Sequence, residues 1–110
     1  MSMNDISSFG RSVASWHRWN WPGTDRMDSV LGITKVAEEA GELVGALTKF
    51  TEGRGSEQAI LDELGDVVIA AAGALRRVGD LLGRDLDLGE VVLDRWSTVA
   101  ARDYRQKAAA

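Results

Sequence analysis

Two acidic motifs, each within a stretch of helical apolar pattern, carry the residues that could do chemistry. The first is EExxE over 38–42 and the second is ExxD over 63–66. Residues three or four apart share one face of a helix, so each motif directs two carboxylates to one side of its helix. If the two helices pack as neighbours, four carboxylates converge, with no His or Cys among them. Such a hard-oxygen site suits Mg²⁺ or Mn²⁺. The predicted ligands are Glu39, Glu42, Glu63 and Asp66.

Either acidic pair alone is a weak signal, because carboxylates three residues apart are frequent on solvated helix faces. The combination is stronger, since the spacing recurs on the next helix and both pairs border apolar residues. Glu38 and Glu42 also repel each other at i,i+4, at a cost of a few tenths of a kcal/mol. At about 100° per residue, Glu39 lies about 60° from the stripe centre at Val36. This places Glu39 at the edge of the core, with the other ligands farther out.

Basic residues near the predicted helices have two interpretations. Lys35 lies one turn before Glu39, and Arg95 and Arg102 are seven residues apart, so they share one face of a predicted fourth helix. These cations either form ordinary salt bridges with the carboxylates or bind the phosphate oxygens of a metal-bound polyphosphate, for which Arg provides bidentate contacts. The pattern itself leaves both open.

The aromatic residues cluster just before the single proline, Pro22. Trp19 or Trp21 could stack on a nucleobase, because aromatic faces serve that role. His17 is the only histidine and no acidic residue lies three positions before it, which excludes a carboxylate-bridged di-iron site of the Glu-x-x-His type. We expect His17 at the surface or the edge of the core. The glycine-rich loops of nucleotide-binding α/β folds are absent.

The apolar periodicity predicts an all-α fold, a four-helix antiparallel bundle forming one domain over residues 1–110. The helices are expected at about 4–19, 25–51, 57–82 and 88–106, with Thr24 or Asp25, Ser56 and Asp87 as N-caps. The inward stripe of the second helix is predicted to comprise Ile33, Val36, Ala40, Leu43, Leu47 and Phe50. That of the third is predicted to comprise Ile60, Leu64, Val67, Val68, Ala71, Leu75, Val78 and Leu82.

Two features predict a homo-oligomer. The third helix is apolar nearly all round over 67–75, and such a helix must be covered on every side. The second helix has Gly41 and Gly45 on a back face, and interior glycines cost about 1 kcal/mol each unless a close helix contact offsets them. A contact with the first helix of the same chain is the alternative explanation for the glycines.

Composition restricts the class of protein. The chain has 110 residues, a formal charge of −4 and no cysteine, so neither disulfides nor thiolate metal sites are available. The longest apolar run has nine residues, whereas a membrane span needs about 20. The N-terminus lacks the pattern of a signal peptide. We therefore expect a cytoplasmic protein that binds neither membranes nor nucleic acid.

The segments KVAEEAGELVGAL and DELGDVVIAAAG resemble the MazG-like, all-α nucleotide pyrophosphohydrolase family. The signature of that family is EExxE, a spacer and ExxD, and here twenty residues separate the two motifs. The resemblance covers about residues 19–102. It implies Mg²⁺-dependent cleavage of a nucleoside triphosphate to the monophosphate and pyrophosphate, by dimers or tetramers of helical subunits.

By motif matching, the resemblance makes Glu39, Glu42, Glu63 and Asp66 the metal ligands and gives Glu38 a water-orienting role beside Glu39. The downstream basic positions match Arg95 and Arg102, which with Lys35 would contact phosphates. Two alternatives stay open. Phosphoribosyl-ATP pyrophosphohydrolases share the carboxylate pattern, and the chain could instead be a helical interaction module with a degenerate site.

Overall fold

The computed structural model describes residues 3–22, 26–103 and 105, excluding the side chains of residue 3 and of 26–29. These residues form four α-helices: α1 (Met3–Asn20), α2 (Arg26–Thr51), α3 (Glu57–Leu82) and α4 (Leu88–Ala100). All regular secondary structure within the described ranges is helical, which confirms the all-α class. The predicted caps Thr24 and Asp25 lie outside the described residues.

The ends of α3 follow from the local sequence. The Ser56 hydroxyl accepts a hydrogen bond from the Ala59 N–H at 3.1 Å and caps the N-terminus. Gly83 ends the helix in the left-handed conformation, at φ 66°, where a side chain would be strained. The Arg84 N–H then donates to the Gly79 carbonyl at 2.9 Å, which closes the turn towards α4.

The cap of α4 also ties that helix to α1. Asp87 Oδ2 accepts the Glu90 N–H at 2.9 Å and the Ser7 hydroxyl at 2.7 Å. The hydrogen bond from Ser7, followed by that from the Glu90 backbone, holds the pKa of Asp87 below its usual value. One carboxylate thus begins α4 and fixes its position on α1.

Helix α4 ends at Ala100, so the predicted extension to residue 106 is wrong. Val99 is the last half-buried residue of α4, and 100–103 are exposed. A helix end with no apolar face to pack has little to hold it, because tertiary packing supplies most helical stability in proteins. Arg102 lies beyond the helix end, and its N–H donates to the Val99 carbonyl.

Helix α3 is the central element, since it packs against α2 and α1, and α1 packs against α4. Small residues permit these contacts. Gly32 of α2 lies against Arg77 and Ala74 of α3, while Gly10 of α1 lies against Leu88 of α4. In each case a β-carbon would lie within about 3 Å of the facing side chain. The helix pair α2–α3 carries both acidic motifs.

The predicted inward stripe of α2 is partly wrong. Ile33 and Leu47 are each about half exposed, whereas the less exposed positions include Val36, Glu39 and Leu43. The helix is therefore rotated so that Glu39 lies within the face that packs on α3. On α3, Leu64, Val68 and Leu82 are likewise about half exposed, although they were expected inside. Apolar periodicity does not define which flank of a broad stripe meets the neighbouring helix.

The chain exposes much more surface than a compact monomer would. Its accessible surface is 7971 Å², whereas a globular chain of this length exposes roughly 5,900 Å². Its radius of gyration is 16.5 Å, against roughly 13 Å for a compact domain of this size. Among the described residues, the buried apolar side chains are all small: Val13, Ala72 and Ala74.

Substitution of Gly79 should weaken the α3–α4 connection. A β-carbon at Gly79 would lie 2.7 Å from the Arg84 carbonyl oxygen, which is backbone and cannot move freely. We expect Gly79→Ala to lower the free energy of unfolding by about 1–3 kcal/mol. Gly65→Ala is the matched control, because a β-carbon at Gly65 of the same helix meets nothing within 4 Å; it should not destabilise the protein. Urea unfolding of both variants provides the measurement, and a Gly79→Ala protein as stable as wild type would contradict it.

Candidate metal centre and adjoining cleft

Three carboxylates from the two motifs converge between α2 and α3. Glu39, Glu63 and Asp66 each offer an oxygen atom, and these atoms all lie within 4.8 Å of one another. Glu39 comes from the middle of α2, and the other two come from the first half of α3, one turn apart. The antiparallel pairing of α2 and α3 across the short 52–56 loop is what brings the motifs together.

The cluster leaves buried negative charge uncompensated. Glu39 is only 7% exposed, and its Oε2 atom has no hydrogen-bond partner; Glu63 Oε2 is buried in the same way. A buried carboxylate oxygen without a partner is unfavourable unless a cation or a donor compensates for it. The orphaned oxygens and the all-oxygen donor set therefore fit a hard divalent cation.

The other oxygen of Glu39 already has a cation beside it. Lys35 Nζ lies 3.0 Å from Glu39 Oε1 and 3.7 Å from Glu38 Oε2. The hydrogen bond to Glu39 raises the pKa of Lys35 above its usual value, so its ammonium group stays charged. Glu39 thus has one oxygen that contacts Lys35 and one that remains for another ligand. Glu38 is exposed and lies on the rim of the cluster.

Glu42 is exposed and adjoins the cluster. The proximity of the Glu39 carboxylate raises the pKa of Glu42 above its usual value, and the negative charge of Glu63 raises it further. Like charges close together disfavour ionisation, which is the effect expected of Glu39 and Glu63 on a neighbouring carboxylate. The structure therefore brings three of the four predicted ligands together, and Glu42 is exposed beside them.

A cleft of about 550 Å³ extends from the carboxylates to a group of aromatic side chains. Its lining residues come from α1, the 21–22 segment, α2 and α3: Trp16, His17, Trp21, Leu31, Gly32, Lys35, Glu39, Asp66, Ile69, Ala70 and Arg77. The Trp16 and Trp21 rings are 5.3 Å apart at 74°, an edge-to-face contact. One end of the cleft is thus acidic and the other aromatic.

The structure separates the two tryptophans proposed for stacking. Trp21 lines the cleft and is half exposed, so part of its side chain is accessible. Trp19 is 88% exposed and does not line the cleft, so its predicted stacking role is not supported. Trp16 and Trp19 are three residues apart, so their side chains leave α1 in directions about 60° apart around the helix axis. Trp16, which the sequence did not single out, lines the aromatic end instead.

Arg95 and Arg102 do not belong to the cleft. Arg95 is exposed on α4, and Arg102 follows the helix end, so the two do not share a helical face as expected. Helix α4 packs against α1, and none of its described residues lines the cleft. Among the described side chains, the cation that lines the cleft besides Lys35 is Arg77, which is buried. The signal for Arg77 was present in the sequence, as an arginine pair directly after the apolar run of α3.

Arg76, the other member of that pair, contacts residues at the aromatic end of the cleft. Its guanidinium is buried, with Nε 3.1 Å from Asp80 Oδ2. Its Nη1 atom donates to the Trp21 carbonyl at 3.0 Å and lies 3.4 Å from His17 Nδ1. His17 is half-buried and lines the cleft. A single buried cation thus contacts both the imidazole and the backbone that carries Trp21.

Comparison of the chain with known protein families, with characterised proteins and with solved structures finds no match. Among the described helices, none has the length and apolar character that crossing a membrane requires. The function of the site must therefore be inferred from its own residues.

Proposed function

We propose that this protein is a Mg²⁺-dependent nucleoside triphosphate pyrophosphohydrolase. The observation that carries the proposal is the convergence of Glu39, Glu63 and Asp66, with two buried oxygens unpartnered, at one end of a cleft whose other end is aromatic. Carboxylates alone would repel a triphosphate, so the acidic end requires a cation. An aromatic wall at the opposite end matches the flat face of a base.

Glu39, Glu63 and Asp66, with Glu42 at the edge, would hold the metal. When bound, Mg²⁺ offsets the negative charge, polarises phosphoryl oxygens and makes water a better nucleophile. Lys35 lines the cleft beside Glu39 and neutralises phosphate charge. Arg77 adds a second cation to the cleft, towards its aromatic end, whereas Arg95 and Arg102 do not line it. Glu38, on the rim, orients the attacking water.

Attack by water is expected at the α-phosphorus, with pyrophosphate as the leaving group. Water supplies the oxygen that forms the new P–O bond, and the bond from the α-phosphorus to the bridging oxygen breaks. Hydrolysis in ¹⁸O-labelled water should therefore place the label in the monophosphate. Mass spectrometry of both products provides the measurement. Label in pyrophosphate, or release of single phosphates, would contradict attack at this atom.

A screen of the dNTPs and NTPs with pyrophosphate detection tests the proposal as a whole. A phosphoribosyl-ATP pyrophosphohydrolase activity is separated by product analysis with that substrate. A helical interaction module with a degenerate site would show no turnover and no binding of Mg²⁺ or Mn²⁺ in calorimetry. The unpartnered oxygens of Glu39 and Glu63 favour the enzyme over the module, because a protein without a ligand here gains nothing that offsets their burial.

The same proposal includes a homo-oligomer, at least a dimer. Val68 of α3 and Val44 and Leu47 of α2 are all exposed in the single chain, and a β-carbon at Gly41 or Gly45 meets nothing within 4 Å. A second copy covering these faces would account for the excess surface. Light scattering at micromolar concentration should give at least twice the mass of one chain. A monodisperse monomer would refute the assembly and leave the apolar surface unexplained.

A further inference from the structure

The aromatic end of the cleft contains His17, which the proposed reaction does not use. The imidazole lies against Gly73 of α3, where a β-carbon would be 2.9 Å from Cδ2 and 3.1 Å from Nε2. Its centroid is 5.2 Å from that of Trp21, at a tilt of 45°, and 6.4 Å from that of Trp16. Glycine at position 73 therefore provides the space in which this ring fits between α3 and the two tryptophans.

The contact with Arg76 determines which nitrogen of His17 carries the proton. A guanidinium group has donors and no acceptor, so Nδ1, 3.4 Å from Arg76 Nη1, must be the accepting nitrogen. Burial lowers the pKa of His17, and the charges of Arg77 and Arg76 lower it further, against a smaller opposing effect of Asp80. The ring is therefore neutral at physiological pH and carries its proton on Nε2.

Arg76 is itself held in place. Its Nε atom lies 3.1 Å from Asp80 Oδ2, one turn along α3, and its Nη1 atom donates to the Trp21 carbonyl. The guanidinium group thus has two contacts, with Asp80 and with the Trp21 carbonyl, besides the imidazole that it orients. Among the described residues, the hydrogen bond of the His17 ring runs through Nδ1 and Nε2 has no partner, and His17 lines the cleft.

The position of His17 assigns that donor to the base end of a bound nucleotide. Gly73 follows Asp66 by seven residues, or about 10 Å along the helix. Ile69 and Ala70 line the cleft between them and offer no side-chain hydrogen bonds. Phosphates held at the carboxylates therefore place the base beside Trp16 and Trp21, within reach of the imidazole.

We propose that His17 selects the nucleobase by donating its Nε2–H to an acceptor on the base edge, and that Arg76 is the positioning residue for this donor. A carbonyl oxygen accepts such a hydrogen bond, whereas an exocyclic amino group does not. The ligand class is therefore a nucleotide with an oxo group at that edge, such as a 6-oxopurine, in preference to its 6-amino counterpart. This inference rests on the proposed function for its substrate.

Binding of inosine and adenosine monophosphates tests the selection without hydrolysis. The two differ at the 6-position, oxo against amino, and in the protonation of the neighbouring ring nitrogen. Tryptophan fluorescence titrations with Mg²⁺ present should show about tenfold tighter binding of inosine monophosphate by wild type, the size of one neutral hydrogen bond. His17→Phe keeps a flat ring over Gly73 but removes the donor, so the preference should disappear. His17→Gln restores an amide donor and should recover part of it.

Two further measurements separate positioning from general stability. In ¹⁵N spectra, the His17 ring of wild type should show an unprotonated Nδ1 and a protonated Nε2. Arg76→Met should produce a mixture of tautomers and lose the inosine preference, while Arg76→Lys should retain part of both. In hydrolysis of the two triphosphates, the wild-type preference should appear in KM with little change in kcat.

The outcomes distinguish this inference from the proposed function. Equal binding of the two monophosphates by wild type, no binding of either, or an undiminished preference in His17→Phe would each overturn base selection by His17. Failure to release pyrophosphate from any nucleoside triphosphate, with the inosine preference intact, would overturn the hydrolase assignment and leave the selection standing.

Discussion

Glu39→Gln should abolish most of the activity and most of the Mg²⁺-dependent stability. The substitution keeps the shape of the side chain but removes the most buried of the clustered negative charges. Without Glu39 the remaining carboxylates bind a hard cation more weakly, and turnover should fall by orders of magnitude. A ligand that binds only the folded state at 100 times its Kd stabilises it by about 2.7 kcal/mol, and this gain should shrink in the variant.

The metal-free behaviour of Glu39→Gln distinguishes a metal ligand from a structural ion pair. Neutralising Glu39 relieves repulsion with Glu42 and Glu63, the same repulsion that raises the pKa of Glu42. The variant should therefore be no less stable than wild type in EDTA. If Glu39 served only to form the ion pair with Lys35, the variant would be less stable than wild type, and its stability would not depend on metal. That ion pair involves an exposed lysine, and such pairs contribute little.

Glu38→Gln is the matched control for the thermal melts. It removes the same charge one residue away, on the exposed rim, where no oxygen belongs to the three-carboxylate cluster. The Mg²⁺-induced rise in melting temperature should persist in this variant. If Mg²⁺ shifts neither the wild-type melt nor that of Glu39→Gln, and the variant hydrolyses dNTPs as well as wild type, then Glu39 is not a ligand and the proposed centre is wrong.

Trp21→Leu should weaken nucleotide binding by about 5- to 150-fold, because base–aromatic stacking contributes about 1–3 kcal/mol per base. Trp21 lines the aromatic end of the cleft, and its carbonyl is fixed by Arg76. Leucine keeps apolar contact in that position but offers no flat face. The effect should appear in KM for the nucleoside triphosphate, and in the dissociation constant of the monophosphate by calorimetry.

Trp19→Leu provides the control for the tryptophan substitution. It removes the same aromatic group two residues earlier, at a position that is 88% exposed and outside the cleft. Nucleotide affinity should stay within about twofold of wild type, since exposed substitutions away from a site have small effects. Equal losses in Trp19→Leu and Trp21→Leu would show that the base does not bind at the aromatic end of this cleft.

The sequence by itself determined the helices and the chemistry of the motifs. Local signals decide both, because caps such as Ser56 and Asp87 act through hydrogen bonds to their own helices. The spacing within each acidic motif fixes a shared helical face whatever the neighbour is. These features need no information about distant parts of the chain, so the all-α class, the helix boundaries at 51, 57 and 82, and the carboxylate set could be inferred from the residues.

Tertiary structure alone decided the rotation of each helix and the partners of each side chain. The apolar stripe of α2 is broad, so periodicity could not show that Glu39 would lie inside the contact with α3 while Ile33 would remain half exposed. In the same way, the packing of α1 on α3 decides that Trp16 lines the cleft and Trp19 does not. Rotation by a fraction of a turn changes the neighbours of a side chain without changing its helical propensity.

The cations of the cleft show the same division. Arg95 and Arg102 matched by position along the chain, but α4 packs on α1 and ends at Ala100, so neither lines the cleft. Arg77 lines it because Gly32 of the facing helix leaves room for its side chain. Residue type and spacing determined which carboxylates share a face of each helix. Which cations lie near them depends on long-range packing. Gly32 of α2 has no side chain, and this leaves room for the side chain of Arg77 on α3.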